Sequence, residues 1–332
     1  ALQYRAGAQI YFDEVNAKGG IAGRKIKLVS YDDKFDPKLA AENTRKLIEE
    51  DKVFALFGYI GTGATVASIP KINEHRIPVI GALSGADGLR DPKLNLIFHT
   101  RASYGAETGK MVEQLTTTGV KSIAVVFQDD PFGKAGLKSA QGAFTKFNIK
   151  PTIEAPIDMG KLDALAATTT EIAKTHPGAI IMITAGKAST AFIREYLKTG
   201  ERPQFFGVSV LSAKALLADL GNDAHGIVIA QVVPSPLRSS YVISKEFTAN
   251  AKKANSTDTT YNSLEGYITA KVFIEALRRA GKDLTREKLM SALETMNNYD
   301  LGGFVVDYSG GKRVGSTFVD LSIISKSGQF MH

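Results

Sequence analysis

Cysteine is absent from all 332 residues. That excludes disulfides, thiolate metal sites and a cysteine nucleophile. It fits an oxidising compartment, where stray thiols are a liability, but many cytosolic chains also lack cysteine. No apolar run approaches the ~18 residues that a membrane-spanning helix needs. No signal peptide is present either, and a mature exported chain would have lost one. Low-complexity tracts and short internal repeats are lacking. The net charge is +7, yet no basic arm exists: Lys121, Lys134, Lys138, Lys252, Lys253, Arg278, Arg279, Lys312 and Arg313 are scattered. They read as a solvated surface that supports solubility and a mild preference for acidic partners. Nucleic acid is not an expected partner, because no basic stretch is interleaved with aromatics and no helix-turn-helix or zinc finger is seen.

Catalytic signals are equally scarce. His75, His99, His176, His225 and His332 are spread along the chain, with no H-E-x-x-H and no pair at metal spacing. The run around Ser209 is Gly-Val-Ser-Val-Leu, not a nucleophile elbow. Gly186-Lys187 is followed by Ala188, so a phosphate-cradling G-K-[ST] is absent. Asp32-Asp33 and Asp129-Asp130 are neighbours on strand ends, where successive side chains face opposite ways, so neither forms a carboxylate dyad. No enzyme, cofactor or metal is expected.

What is present is long enough for two domains with real cores, and 44% of it is hydrophobic. The chain is organised around Phe54 to Pro92. Two short apolar strands, Phe54–Phe57 and Ile77–Ile80, each end in small residues: Gly58 to Gly63 and Gly81 to Gly85. Between them Thr65, Val66, Ile69, Ile72 and Asn73 have the spacing of a helix packed on a sheet. Two bare strand ends side by side make a crevice at the carboxyl edge of a parallel sheet, where open α/β proteins bind small molecules.

Around this stretch the chain alternates. A helix over Gln3–Lys18 stops at Gly19-Gly20, Lys25–Asp32 alternates as a strand, and Asp36-Pro37 starts a helix that runs to about Glu50. Ile97–His99 is a short apolar segment before a helix through Met111, Val112 and Leu115. Strands are then expected at Ser122–Phe127, Lys150–Ile157, Ala179–Ile183, Gln204–Val208 and Gly226–Val232, with helices between them. Runs such as IAVVF and AIIMI indicate parallel sheets covered on both faces. After Val233-Pro234-Ser235-Pro236 come three helices, Ser239–Lys253, Ser263–Ala280 and Thr285–Met296, then strand-like Phe304–Asp307 and Thr317–Ile324.

The blocks GGIAGRKIKLVSYDD, LFGYIGTGAT, IPVIGALSGADGLRDP, FHTRASY, IAVVFQDDPFGKAGL and SLEGYITAKVFIEAL, in this order, resemble the branched-chain-amino-acid-type solute-binding proteins of bacterial ABC importers, the type I periplasmic binding proteins. The resemblance covers essentially the whole chain. It implies an α/β fold of two Rossmann-like lobes with parallel sheets, a Venus-flytrap joined by three crossings near Arg101–Tyr104, Val232–Pro236 and Asp307–Val314. The lobes are expected at 1–103 plus 236–308 and at 104–235 plus 309–332. Members of this family begin with a central strand that has no counterpart before Gln3 here. The expectation is that the full protein has residues ahead of Ala1; the alternative is an N-terminal lobe without that strand.

Gly61-Thr62-Gly63 must be tested as a dinucleotide fingerprint. Its third glycine falls at Val66 and the ribose-binding acid would fall near Gly81-Ala82, so both requirements fail. A carboxylate at the helix N-terminus, held by Thr62 and the amides of Gly63 and Ala64, fits better. The resemblance places the ligand's carboxylate end at Thr62, Leu83, Ser84 and Gly85; otherwise these small residues merely permit tight turns. Tyr59, Tyr104 and Phe132 sit at strand ends where aromatics can sandwich a ligand, or pack in the core or hinge. Arg101 is either a carboxylate partner or a structural ion-pair member.

In the resembled family an acid after the fourth strand of the second lobe holds the ligand ammonium. Here that position is Ser209, and an expected tyrosine is replaced by Ala185-Gly186. Losing the acid argues against a simple α-amino acid, unless Glu265 or Asp129 supplies the charge. Glu265 can equally hold a helix N-terminus. The reading is a periplasmic, monomeric receptor that takes a small carboxylate-bearing ligand, amino-acid-like or an aromatic or aliphatic organic acid, in an interlobe cleft. It would deliver the ligand to an ABC-transporter membrane permease. A cytoplasmic sensor of the same fold acting on a regulatory protein is the alternative, and an α/β enzyme a minor one.

Overall fold

The computed structural model describes residues 2–238, 240–326 and 330–331. Ser239 and His332, both named above, lie outside the described residues. The chain forms two units. Unit 1 comprises Ala1–Ser84, Gly88–Ala102 and Val233–Phe318; unit 2 comprises Gly85–Asp87, Ser103–Val232 and Val319–His332.

Unit 1 opens on α1 (Leu2–Ala17). The Asp36 carboxylate accepts from the Lys38 and Leu39 amides and, with Pro37 in the first turn, starts α2 (Pro37–Glu49). Then come β1 (Leu56–Phe57), α3 (Thr62–Glu74), β2 (Val79–Ile80) and β3 (Ile97–Phe98). The three strands lie parallel in the order β1-β2-β3. Ile48, Leu56, Ile72, Ile77, Val79, Leu96 and Ile97 make the core between this sheet and its helices. The inward stripe of α3 is Thr65, Ser68 and Ile72, whereas Val66 is 47% exposed and Asn73 is exposed. The expected face was therefore too wide, because Val66 lies one residue round the helix from the stripe. Residues 25–33, expected as a strand over Lys25–Asp32, join no ladder.

Unit 2 follows with α4 (Tyr104–Thr117), β4 (Ile123–Gln128), α5 (Pro131–Lys146), β5 (Glu154–Ile157), α6 (Leu165–Ala173) and β6 (Ala179–Ile183). It continues through α7 (Lys187–Leu197), β7 (Gln204–Gly207), α8 (Ala213–Leu220) and β8 (Val228–Gln231). These five strands are parallel in the order β5-β4-β6-β7-β8. Every residue of β4 and β6 is buried, as strands covered on both faces must be.

The chain returns to unit 1 as α9 (Val242–Lys253), α10 (Tyr261–Ala280), α11 (Arg286–Glu294) and the antiparallel pair β9 (Tyr299–Asp300) and β10 (Val305–Val306). Thr260 and Ser263 form a capping box that starts α10. Residues Arg313 to Gly315 then run along β3: the His99 amide donates to the Arg313 carbonyl (2.7 Å) and the Gly315 amide to the His99 carbonyl (2.8 Å). Finally β11 (Asp320–Ile324) joins unit 2 antiparallel to β8, and β12 (Phe330–Met331) pairs antiparallel to β11. The sheet is thus mostly parallel, with two antiparallel strands at one edge. The short strands β9 and β12 carry no alternation long enough to be read from sequence.

Helices α1 and α10 pack with their backbones in contact. A Cβ added at Gly266 would overlap the Tyr4 carbonyl, and one at Gly7 the Ser263 carbonyl. The ring of Tyr11 meets that of Tyr267 edge-on, 5.1 Å between centroids.

Candidate ligand-binding site

In unit 1 the loops that leave β1 and β2 are joined to each other. The Leu83 amide donates to the Tyr59 carbonyl (2.6 Å) and the Gly61 amide to the Leu83 carbonyl (3.2 Å). Above this bridge the buried hydroxyls of Thr62 and Ser84 share a hydrogen bond of 2.8 Å. Thr62 opens α3, whose N-cap is Gly61, so no side chain caps that end. The first amides of a helix have no intrahelical partner, and with the helix dipole they favour an anion. Thr62, Gly63, Leu83 and Ser84 are therefore brought together.

The Tyr59 side chain is engaged elsewhere. Its hydroxyl shares a 2.7 Å hydrogen bond with Thr44 of α2, which also meets Ser68 of α3 (2.8 Å). Burial pushes its phenol up to about 12, so it stays a neutral member of a hydroxyl chain beside the core.

Behind the loops lies a buried ion pair. Arg101 Nη1 and Glu265 Oε1 are 3.3 Å apart, with side chains 1% and 4% exposed. For Arg101 this contact is the ion-pair role named in the sequence; for Glu265 it is neither of the two roles named there. Nearby, the Arg90 guanidinium donates to the carbonyls of Ser84, Arg101 and Ala102, tying together the chain segments where unit 1 gives way to unit 2. His99 Nε2 lies 3.0 Å from the Leu89 carbonyl. Burial, reinforced by the Arg90 charge, pushes the imidazole down to about 3.

An acid dependence of stability follows. The unfolded chain takes up the His99 proton near the ordinary value of 6.5, while the folded chain resists until about 3. The contribution of neutral His99 is complete above the unfolded value and is lost as pH falls from 6.5 toward 3. Its slope approaches about 1.4 kcal/mol per pH unit. Urea unfolding at several pH values across this range should show that slope, and His99→Gln should flatten it by that amount. An unchanged slope in the variant would assign the acid sensitivity to other groups.

In unit 2, Gly85, Tyr104 and Phe132 come together. The Tyr104 amide donates to the Gly85 carbonyl (2.6 Å), and the rings of Tyr104 and Phe132 meet edge-on at 5.6 Å. A Cβ on Gly85 would overlap the Tyr104 ring, so a glycine is needed there to seat the aromatic pair. The Asp87 carboxylate accepts from the Gly105 amide (3.1 Å) and the Ser139 hydroxyl (2.6 Å), fixing the start of α4 against α5.

The strand ends of β4, β6 and β7 carry the remaining residues. Gln128, at the end of β4, accepts from the Ala185 amide (2.7 Å) and donates to Asp130 (2.9 Å). Ala185 is half-buried and Gly186 exposed. Ser209 is buried, and both its donors reach one carboxylate: the amide to Glu107 Oε2 (2.7 Å) and the hydroxyl to Glu107 Oε1 (2.9 Å). Sequence reasoning missed Glu107 and Gln128. It sought an acid on the strand end itself, whereas the acid arrives from the first turn of α4. Asp129, considered as a substitute charge, is paired instead with Lys134 at 2.8 Å.

Comparison with known proteins identifies the family. The family model described as periplasmic binding protein matches residues 1–318. The chain belongs to the periplasmic binding protein family. This periplasmic binding protein is similar to relatives named for leucine, isoleucine and valine. It is 22% identical over 291 residues to a Leu/Ile/Val-binding protein homolog 7 of Brucella suis, covering 82% of the chain and 71% of that relative. It is 26% identical over 170 residues to an amino acid binding protein of Pseudomonas aeruginosa, and the match spans half the chain and 45% of that relative's length. A substrate-binding periplasmic protein from Ralstonia solanacearum superposes with a TM-score of 0.91 at 30% identity, covering 99% of the chain and 94% of the other. The relatives of this periplasmic binding protein are solute-binding proteins, not enzymes. Among the described residues no cluster of histidines and carboxylates could hold a metal ion, and no helix is long and apolar enough to cross a membrane.

Proposed function

We propose that the protein is an extracytoplasmic receptor that captures a small carboxylate-bearing solute and delivers it, as a monomer, to an ABC-transporter permease. The observation that supports a carboxylate is the hydroxyl pair Thr62–Ser84 at the uncapped N-terminus of α3. Hydroxyl groups beside the Gly63 and Ala64 amides suit one small anionic group better than a phosphate chain. Thr62→Val with Ser84→Ala should weaken binding of the carboxylate ligand by about 10- to 100-fold, the value of a hydrogen bond or two to a charged group. Isothermal titration calorimetry reads this directly. Unchanged affinity, with an unchanged circular dichroism spectrum, would remove these residues from the site.

The finer reading is a ligand without an α-ammonium, an aromatic or aliphatic acid. Both Glu107 oxygens accept from Ser209, so that carboxylate is engaged by the chain just after β7. Small Ala185 and Gly186 leave room for a longer body. A thermal-shift screen of benzoate, hexanoate, leucine and valine tests the point. A true ligand adds about 2.7 kcal/mol at a hundredfold excess over Kd. Stabilisation by leucine or valine, with none by the acids, would sink this reading.

One observation favours a second reading, an α-amino acid whose ammonium pairs with Glu107: that carboxylate is fully buried beneath Ser209. Glu107→Gln separates the two. It would abolish stabilisation by leucine under the second reading and leave stabilisation by benzoate under the first.

A further inference from the structure

The net charge of +7 is not shared between the two units. Unit 1 carries 27 lysines and arginines against 20 aspartates and glutamates, whereas unit 2 carries 14 of each. Within unit 1 an excess gathers where α1 and α10 end. The Asn16 side chain donates to the Ile26 carbonyl (2.8 Å) and accepts from the Ile26 amide (2.7 Å), which lays residues 24–27 along the last turn of α1. Lys25 and Lys27 alternate with Ile26 and are exposed, as is Arg24. Helix α10 brings Arg278, beside Tyr11 of α1, and Lys282 follows just past its end. Both are exposed. Lys18 is paired with Glu14 (2.7 Å) and Arg279 with Glu275 (2.8 Å). Among the described residues, no ion pair holds Arg24, Lys25, Lys27, Arg278 or Lys282. The other acids in these segments are Asp13, which accepts from Gln9, and Asp283.

Basic residues in the last turn of a helix complement its dipole, which accounts for Arg278 and Arg279. Arg24, Lys25 and Lys27 belong to no helix, so the dipole does not account for them. We propose that this basic face docks the protein on an anionic lipid surface. Protein interfaces are built around apolar and aromatic anchors that become fully buried. No large apolar side chain is exposed within residues 13–28 or 275–284. Such a face suits a partner that offers diffuse negative charge without a matching pocket. Long Lys and Arg stems let the charged heads reach that surface from several backbone positions at once. Each such charge near an anionic bilayer raises the bound fraction roughly fivefold. The attraction fades over a Debye length, about 10 Å at 0.1 M salt. Unit 2, with its charges balanced, gives no net attraction of this kind.

Sedimentation with vesicles of about 30% phosphatidylglycerol in phosphatidylcholine, at about 50 mM and about 500 mM NaCl, tests the proposal. The protein should bind these vesicles at the lower salt, leave them at the higher, and ignore pure phosphatidylcholine. Arg24→Glu with Lys25→Glu and Lys27→Glu should weaken binding by about 100-fold or more. Lys121→Glu with Lys146→Glu and Lys150→Glu alters the charge of unit 2 equally and should cost less than about tenfold. Both variants should keep the parental Tm, since all six side chains are exposed. If the first variant fails to fold, Arg278→Gln with Lys282→Gln decides, with a loss of about tenfold or more expected. No binding at the lower salt overturns the proposal. Equal losses in the two charge-reversal variants also overturn it, by reducing the effect to net charge. Binding that survives the higher salt would place the attraction in apolar contacts and overturn it as well. A polyglutamate chain held more tightly than the vesicles would make an acidic protein the occupant and overturn it too. The assay uses neither solute nor permease, so its failure would leave the proposed solute capture standing.

Discussion

Replacing Arg101 with methionine is expected to lower the unfolding free energy by about 3–5 kcal/mol, the loss typical of a buried charge left without its partner. Glu265 lies within α10 at 3% exposure, and without the guanidinium its carboxylate must either stay charged in a poor solvent or take up a proton. The double variant Arg101→Met with Glu265→Leu should regain most of that loss, because it removes the orphaned charge together with the desolvation of both ions. Urea unfolding of the four proteins of this cycle measures the coupling. A single-variant loss below about 1 kcal/mol would mean that the pair is solvated in solution and contributes as little as a surface pair.

Gly266→Ala is expected to destabilise by about 3 kcal/mol or more, at the upper end of what overpacking does in a core. The methyl would meet the Tyr4 carbonyl, which is backbone and cannot rotate aside. Relief requires α1 to move off α10, and α1 also carries the Tyr4 hydroxyl that donates to the Gly81 carbonyl (2.9 Å) at the end of β2, in the proposed binding loops. Binding should therefore weaken along with stability, although residue 266 lies outside the loops. A variant with wild-type Tm would show that the two helices separate without resistance. Gly142 provides a control, since nothing lies within 4 Å of a Cβ built there; Gly142→Ala should leave Tm unchanged or raise it slightly by helix propensity.

These two sites show which parts of the protein the sequence discloses. IAVVF and AIIMI were legible as buried parallel strands because covering both faces leaves an unbroken apolar run, a local signature. Asp36-Pro37 was legible as a helix start because capping uses only neighbours in the chain. Segment 25–32 has the alternation of a strand and is not one here, since pairing depends on a partner that local pattern cannot supply. Thr62 and Ser84 could be placed together because each follows a strand of the same sheet. Glu107 could not be found in this way: its link to Ser209 joins the first turn of a helix to a strand end far along the chain. Arg101 and Glu265 each carried two readings, and only packing brought the two charges together.

The joining of α1 to α10 bears on how the protein is made. Helix α1 finds its packing surface only after Ser103–Val232 of unit 2 and α9 have been polymerised. Unit 2, by contrast, has α4 and its five parallel strands in one continuous stretch. During synthesis unit 2 can therefore mature while unit 1 waits, its first segments held without a partner helix until the ribosome has passed Ala280. Contacts of such long sequence separation form slowly. A chain arrested before α10 should consequently display a protease-resistant unit 2 and a protease-sensitive N-terminal segment, and the delay itself keeps the young polypeptide pliable.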